Sequence, residues 1–321
     1  MKLVCLDGAT LYPCEPVPDR HWDTFDGICD LTVWDRTAPS DVVARLHDAD
    51  MALTNKTVID AATIAALPRL KYIGVLATGY NVVDIAAARA AGITVTNIPA
   101  YSTASVAQHA ISLLLAIVGR VETYAMEVSR GRWTACDDFS FLIEDWHELA
   151  GKTFGVVGFG NTGRATAAIA AALGMDIAVY TSKEQSQLPA GYRKVDLDTL
   201  FSDSDVVSLH CPLTPGTQGL VDARRLAGMK QSAILINTGR GPLVNAADLA
   251  EALVHGRIFA AGIDVLENEP PRAGEPLLAA PRCYITPHIA WSSVEARERL
   301  LRLAVDNVRA YLGGKPVNVV M

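Results

Sequence analysis

The chain has 321 residues, half of them hydrophobic and a fifth charged, which at roughly 150 residues per domain points to about two globular domains with ample core material. That composition excludes intrinsic disorder and a disulfide-stapled miniprotein. With 28 Lys and Arg against 35 Asp and Glu, the net charge of -7 gives no electrostatic reason to expect nucleic acid or an anionic membrane as partner.

The first series of elements reads as short apolar strands near Lys2–Leu6, Leu31–Trp34, Met51–Leu53, Tyr72–Leu76 and Thr94–Thr96, with helices such as Val58–Leu67 and Val83–Ala91 between them. Such alternation is the signature of β-α units around a parallel sheet. Ile98-Pro99-Ala100-Tyr101-Ser102-Thr103 then leads into a helix with Ser102 or Thr103 as N-cap and apolar positions at Ala107, Ile111, Leu114, Leu115 and Val118. Trp133 to Trp146 has no period and reads as an irregular arm suited to covering a neighbouring chain. The second series places strands at Thr153–Val157, Ile177–Tyr180, Val206–Leu209, Ile234–Ile236, Ala260–Ile263 and Tyr284–Thr286. A last helix over Ser293–Leu312 stops at Gly313-Gly314-Lys315-Pro316.

Two α/β domains of doubly wound parallel sheets, one Rossmann-like and one flavodoxin-like, with a cleft between them, follow from that pattern. The expected division is discontinuous, with residues 1–98 and 293–321 forming one domain and residues 99–292 the other. The six cysteines, Cys5, Cys14, Cys29, Cys136, Cys211 and Cys283, are scattered, with no Cys-x-x-Cys pair and no His at metal spacing, so reduced thiols and no metal are expected. The Met1–Asp7 stretch lacks the run of an export signal, and Ala110–Val118 is about half a bilayer span, so a cytoplasmic protein is expected.

Gly158-Phe159-Gly160-Asn161-Thr162-Gly163 follows one strand and opens the helix Arg164–Leu173, the context in which G-x-G-x-x-G binds a dinucleotide. The glycines allow a tight turn and close backbone approach to a pyrophosphate, and the helix N-terminus supplies N–H groups and a positive dipole end. Where an acid would take the adenosine ribose hydroxyls stands Thr181, followed by Ser182 and Lys183. A carboxylate would repel a 2′-phosphate, whereas two hydroxyls and a cation would not, so the sequence leans towards NADP or use of both cofactors.

Three later segments end strands with polar residues: Asn237-Thr238-Gly239-Arg240-Gly241, Asp264-Val265-Leu266-Glu267-Asn268-Glu269-Pro270 and Thr286-Pro287-His288-Ile289-Ala290-Trp291. With Ala77-Thr78-Gly79-Tyr80-Asn81, Ser105-Val106-Ala107-Gln108 and His210-Cys211-Pro212-Leu213-Thr214, they make nearly the whole chain resemble the D-2-hydroxyacid dehydrogenases, within them the hydroxypyruvate (glycerate) and glyoxylate reductase branch. That resemblance implies Arg240 as substrate arginine, His288 as acid/base and Glu269 as its partner. It further implies Ala77, Thr78 and Gly79 on the substrate carboxylate, Trp291 limiting the pocket to small substituents, and a homodimer formed through the cofactor domain. His210, Cys211, Pro212, Thr217, Thr238, Gly239 and Asp264 would lie along NAD(P), Asp264 near the nicotinamide side.

The chemistry agrees, because a guanidinium fork binds a 2-oxo acid's carboxylate and polarises its carbonyl, while histidine can supply the proton that accompanies hydride transfer. Dehydrogenases for D-lactate, phosphoglycerate or phosphite, and a dinucleotide-sensing corepressor of the same fold, share these residues and stay open as alternatives. His109 and His255 lie on helical segments and receive no chemical role.

Overall fold

All strand pairs described are parallel, as continuous apolar strands covered on both faces require. The computed structural model describes residues 1–12, 22–144 and 146–320. Its contacts divide the chain into Met1–Ser102 with Ser292–Met321, and Thr103–Trp291. The first crossing falls later than residue 98 because the segment before Thr103 stays tied to the first unit: the Arg299 guanidinium donates to the Tyr101 carbonyl. Cys14 lies outside the described residues; Cys5, Cys29, Cys136, Cys211 and Cys283 are free thiols.

The first unit is a five-stranded sheet of order β2-β1-β3-β4-β5, with β1 at Lys2–Cys5, β2 at Asp30–Val33, β3 at Met51–Thr54, β4 at Tyr72–Val75 and β5 at Thr94–Thr96. Its short helices are α1 (Val42–Leu46), α2 (Ala61–Ala65) and α3 (Ile85–Ala90). The latter two start later than the apolar pattern predicts. Ile59 and Val83 instead form a parallel bridge, and Asp60 and Asp84 cap the helices by accepting N–H bonds from Thr63 and Ala87.

At the end of β1 the buried Asp7 carboxylate accepts the N–H groups of Asn55, Lys56 and Thr57 at 2.8, 2.7 and 2.7 Å, which pins the loop after β3. The loop after β4, Ala77–Gly79, is tied to the segment after β5: the Ile98 N–H donates to the Ala77 carbonyl at 3.0 Å, and Asn97 Nδ2 to the Thr78 carbonyl at 2.7 Å.

The last helix, α10 (Val294–Leu312), is capped by Ser293 and returns to this unit, burying Leu300, Leu301, Ala304, Val305 and Val308. Its Tyr311 ring lies 4.7 Å from that of Tyr72, and Asn307 Nδ2 donates to the Asn97 carbonyl at 2.9 Å. Beyond it, Val319 pairs antiparallel with Thr96 on β5.

The second unit is a seven-stranded sheet of order β12-β11-β10-β9-β6-β7-β8. Its strands are β6 (Thr153–Val157), β7 (Asp176–Tyr180), β8 (Arg193–Lys194), β9 (Val206–Leu209), β10 (Ile234–Asn237), β11 (Ala260–Ile263) and β12 (Cys283–Ile285). Two exposed cationic residues make up β8, too polar and short to register in the apolar pattern. The helices are α4 (Thr103–Gly119), α5 (Val121–Ser129), α6 (Asn161–Ala172), α7 (Leu197–Asp203), α8 (Ala223–Gly228) and α9 (Ala246–Val254). Helix α4 buries Ala107, Ala110, Ile111, Leu113, Leu114 and Ile117 against α6 and the sheet. Leu115, expected inside, is exposed, because the sheet-facing stripe steps through 107, 110, 111, 114 and 117 and leaves it to one side.

Tyr72 is fully buried and its hydroxyl meets Thr96 Oγ1 at 2.7 Å across the sheet. Tyr72→Phe leaves that threonine hydroxyl unpaired in the core. A loss of about 1–2 kcal/mol is expected, measured as a lower urea midpoint at unchanged slope; an unchanged midpoint contradicts the assignment.

Candidate active site

Strand β6 runs into Gly158, whose φ of +94° puts it where L side chains are strained. A Cβ there would meet the Cys211 nitrogen at 2.6 Å, and one on Gly163 would meet the Gly158 carbonyl oxygen at 2.1 Å. These two glycines are therefore demanded by the packing of turn, helix and neighbouring loop. Gly160, the N-cap of α6, differs: a Cβ would meet nothing within 4 Å. Open space thus lies against the glycine turn and the first residues of α6, Asn161 and Thr162, where helix N–H groups lack intrahelical partners.

The loop after β9 borders this turn. The His210 N–H donates to the Val157 carbonyl at 2.7 Å, and its Nε2 lies 2.8 Å from Ser208 Oγ. Enclosure of the part-buried ring pushes its pKa down from 6.5 to about 4. Further along, Thr217 Oγ1 donates to the Pro212 carbonyl at 2.7 Å and fixes the Cys211–Pro212 bend. On the other side, past β7, Thr181 Oγ1 accepts the Lys183 N–H at 3.2 Å, which keeps Thr181, Ser182 and Lys183 in one tight turn.

After β10, Asn237 shapes the next loop: its Oδ1 accepts the Gly239 N–H at 3.0 Å and its Nδ2 donates to the Arg240 carbonyl at 2.9 Å. Thr238 is buried and its Oγ1 has no hydrogen-bond partner among the described residues. Arg240 is exposed, with one guanidinium N–H on the Gly239 carbonyl at 2.8 Å. A Cβ on Gly241 would lie 2.0 Å from the Leu266 carbonyl carbon, so the Arg240 turn rests directly on the loop after β11.

That loop carries Glu269. Its Oε1 accepts the Leu266 N–H at 3.0 Å, and its Oε2 lies 2.6 Å from His288 Nδ1. His288 adopts φ of +54°, a region costing a non-glycine residue about 1–2 kcal/mol. Asp264 compensates for it. Its backbone carbonyl accepts the His288 N–H at 2.8 Å, and its carboxylate accepts the N–H groups of Ile289 and Ala290 at 2.9 Å each and the Thr286 hydroxyl at 2.6 Å.

Asp264, expected beside the cofactor, thus turns its carboxylate onto the histidine loop. Ser105 and His109, the latter without a role in the sequence reading, reach this framework from α4, and Thr286 joins it from the head of the histidine segment. Arg240, Glu269, His288 and half-buried Trp291 belong to the second unit with the glycine turn, while Ala77, Thr78 and Gly79 belong to the first. The resulting set offers an exposed guanidinium and an imidazole whose Nδ1 is engaged by a carboxylate, so that Nε2 is the nitrogen left for a reacting group.

The depressed His210 value has a consequence for stability. Between pH 6.5 and about 4 the unfolded chain takes up a proton at His210 that the folded ring refuses, so stability falls as pH drops through that window. His210→Asn removes this contribution and is expected to flatten the decline of the urea midpoint with pH; an identical slope contradicts it.

Comparison with known proteins identifies the family. Residues 111–290 match the family described as D-isomer specific 2-hydroxyacid dehydrogenase, NAD binding domain. The chain is 44% identical to a hydroxypyruvate reductase of Blautia hydrogenotrophica, over 100% of this chain and 99% of that one. It is 44% identical to a glycerate dehydrogenase of Methylorubrum extorquens over 88% of each. A solved structure of a Thermus thermophilus protein superposes over 100% of both chains with a TM-score of 0.88 at 34% identity. With two parallel α/β sheets, a glycine turn at the head of α6 and a family match across the second unit, the chain belongs to the D-isomer specific 2-hydroxyacid dehydrogenases.

Proposed function

We propose that the protein reduces small 2-oxo acids, hydroxypyruvate to D-glycerate and glyoxylate to glycolate, with His288 as proton donor. The observation that carries this reading is the 2.6 Å contact between His288 Nδ1 and Glu269 Oε2 in a loop braced by Asp264. Support for the substrate class comes from the two relatives at 44% identity, and Trp291, three residues past His288, would restrict the space for a substituent, as the resemblance implies. Glyoxylate lacks only the hydroxymethyl group of hydroxypyruvate and so fits wherever the larger acid does.

The residues present suit a nicotinamide dinucleotide. Gly158, Gly160 and Gly163 with the N-terminus of α6 would hold the pyrophosphate, in the space a Cβ on Gly160 would fill. His210, Cys211 and Pro212 would flank it, and Thr238, whose buried hydroxyl has no partner among the described residues, would lie with Gly239 along its length. When bound, the nicotinamide supplies hydride to the carbonyl carbon of the substrate. Arg240 binds the carboxylate and draws charge onto the carbonyl oxygen. His288 Nε2 gives its proton to that oxygen as it becomes a hydroxyl, while Glu269 holds Nδ1–H and fixes the plane of the ring. For the adenosine end, Thr181, Ser182 and Lys183 favour a 2′-phosphate, and NADPH is the proposed donor. The likeness also supports a homodimer through the second unit, where α5 buries none of its residues and Val121, Met126, Val128, Trp133, Phe139 and Leu142 are exposed. A cytoplasmic site of action fits the free thiols.

His288→Asn is expected to lower kcat at least about a hundredfold, and Arg240→Ala to raise KM for the oxo acid; near-normal kinetics in both overturn the assignment. Steady-state rates with each cofactor test the adenosine end, where a preference for NADH above about tenfold, roughly 1.4 kcal/mol, overturns the NADPH reading. Sedimentation of a monomer at micromolar concentration removes the dimer.

A further inference from the structure

The chain's sequence gives His109 no role, yet its ring enters the framework under His288. From α4, its Nε2 lies 2.9 Å from Thr286 Oγ1 and 3.5 Å from Asp264 Oδ1. Asp264 is 1% exposed, and its carboxylate can only accept. Thr286 has a single hydroxyl proton, and at 2.6 Å that proton goes to Asp264 Oδ1. The bond between His109 and Thr286 therefore has one possible direction: His109 Nε2–H donates and Thr286 Oγ1 accepts.

We propose that His109 is a positioning residue for His288, acting through Thr286 and Asp264. The relay is directional at every step. His109 gives an N–H to Thr286, Thr286 gives its hydroxyl proton to Asp264, and the carboxylate so oriented accepts the Ile289 and Ala290 N–H groups that hold His288 at φ of +54°. Ser105, four residues before His109 on the same face of α4, supports the same loop by donating to the Ala290 carbonyl at 2.6 Å. Helix α4 thus grips the loop at two points, one of them through the carboxylate.

Loss of the His109 donor leaves a lone pair of Thr286 without a partner. It also removes a ring nitrogen that lies 3.5 Å from the buried Asp264 carboxylate. His288 then departs from the orientation that proton transfer requires, without any change at the dinucleotide turn.

This inference rests on His288 being the proton donor, and the experiment separates the two. Kinetics with hydroxypyruvate are measured for wild type, H288N, H109L, H109Q, T286V and the H109L/T286V double variant, with folding checked by circular dichroism. Activity retained in H288N would defeat the underlying reading; an inactive H288N leaves the role of His109 to the remaining variants.

H109L is expected to lose about tenfold or more in kcat with KM for the reduced cofactor within about twofold. H109Q, whose amide places a donor near the position of Nε2, recovers most of that loss. In the T286V background H109L adds nothing further, because its route to His288 is already cut. The proposal is overturned if H109L keeps normal kcat, if H109Q is as impaired as H109L, or if the two losses multiply in the double variant. Should H109L not fold, H109N, polar but too short to reach Thr286, replaces it in the same comparison.

Discussion

Asp264 follows β11 with its carboxylate almost wholly withdrawn from solvent, and no Lys or Arg among the described residues pairs with it. An isolated buried charge is costly, so its two oxygens must be satisfied by hydrogen bonds. They are, by two consecutive backbone N–H groups and one hydroxyl, all from the segment after β12. The left-handed backbone of His288 depends on this, since it lets three successive N–H groups converge on one residue. From it follow the direction of the imidazole and its contact with Glu269.

The other loops at this edge are joined by close backbone approach. Gly158 lies against the loop holding His210 and Cys211, Gly163 closes on Gly158, and Gly241 seats the Arg240 turn on the loop that leads to Glu269. Each contact is too near for a Cβ, so a methyl group at any of the three would separate two segments of the site. The glycines and Asp264 thus act on different aspects of the site. Backbone contacts set the spacing of the loops, and one carboxylate sets the orientation of the last.

Much of this was legible in sequence. Strands buried on both faces show as apolar runs, and Thr153–Val157, Val206–Leu209 and Ala260–Ile263 are found where the pattern puts them. Edges were less legible. The start of α2 is moved by a bridge between Ile59 and Val83, which no local pattern announces, and β8 carries two cations. The glycine turn was readable because a strand and a helix flank it. The pairing of His288 with Glu269 was carried by resemblance, since nineteen residues separate them and neither lies in a periodic element. His109 and Thr286, 177 residues apart, share no sequence signal at all. Such contacts arise only when α4 is laid across the sheet.

The route of the chain through the two units has a consequence for biosynthesis. Every residue of the second unit, Thr103–Trp291, is consecutive, so its core is available as one piece during translation. The first unit begins earlier but is completed later: α10 covers β4, and Val319 flanks β5, only after the whole second unit has been made. Until then Tyr72 lacks its Tyr311 neighbour and the first sheet keeps an open edge at β5, a state in which apolar surface and unpaired strand groups are exposed. The first unit therefore cannot be completed before the second has been synthesised, and its amino-terminal strands wait longest for their partners.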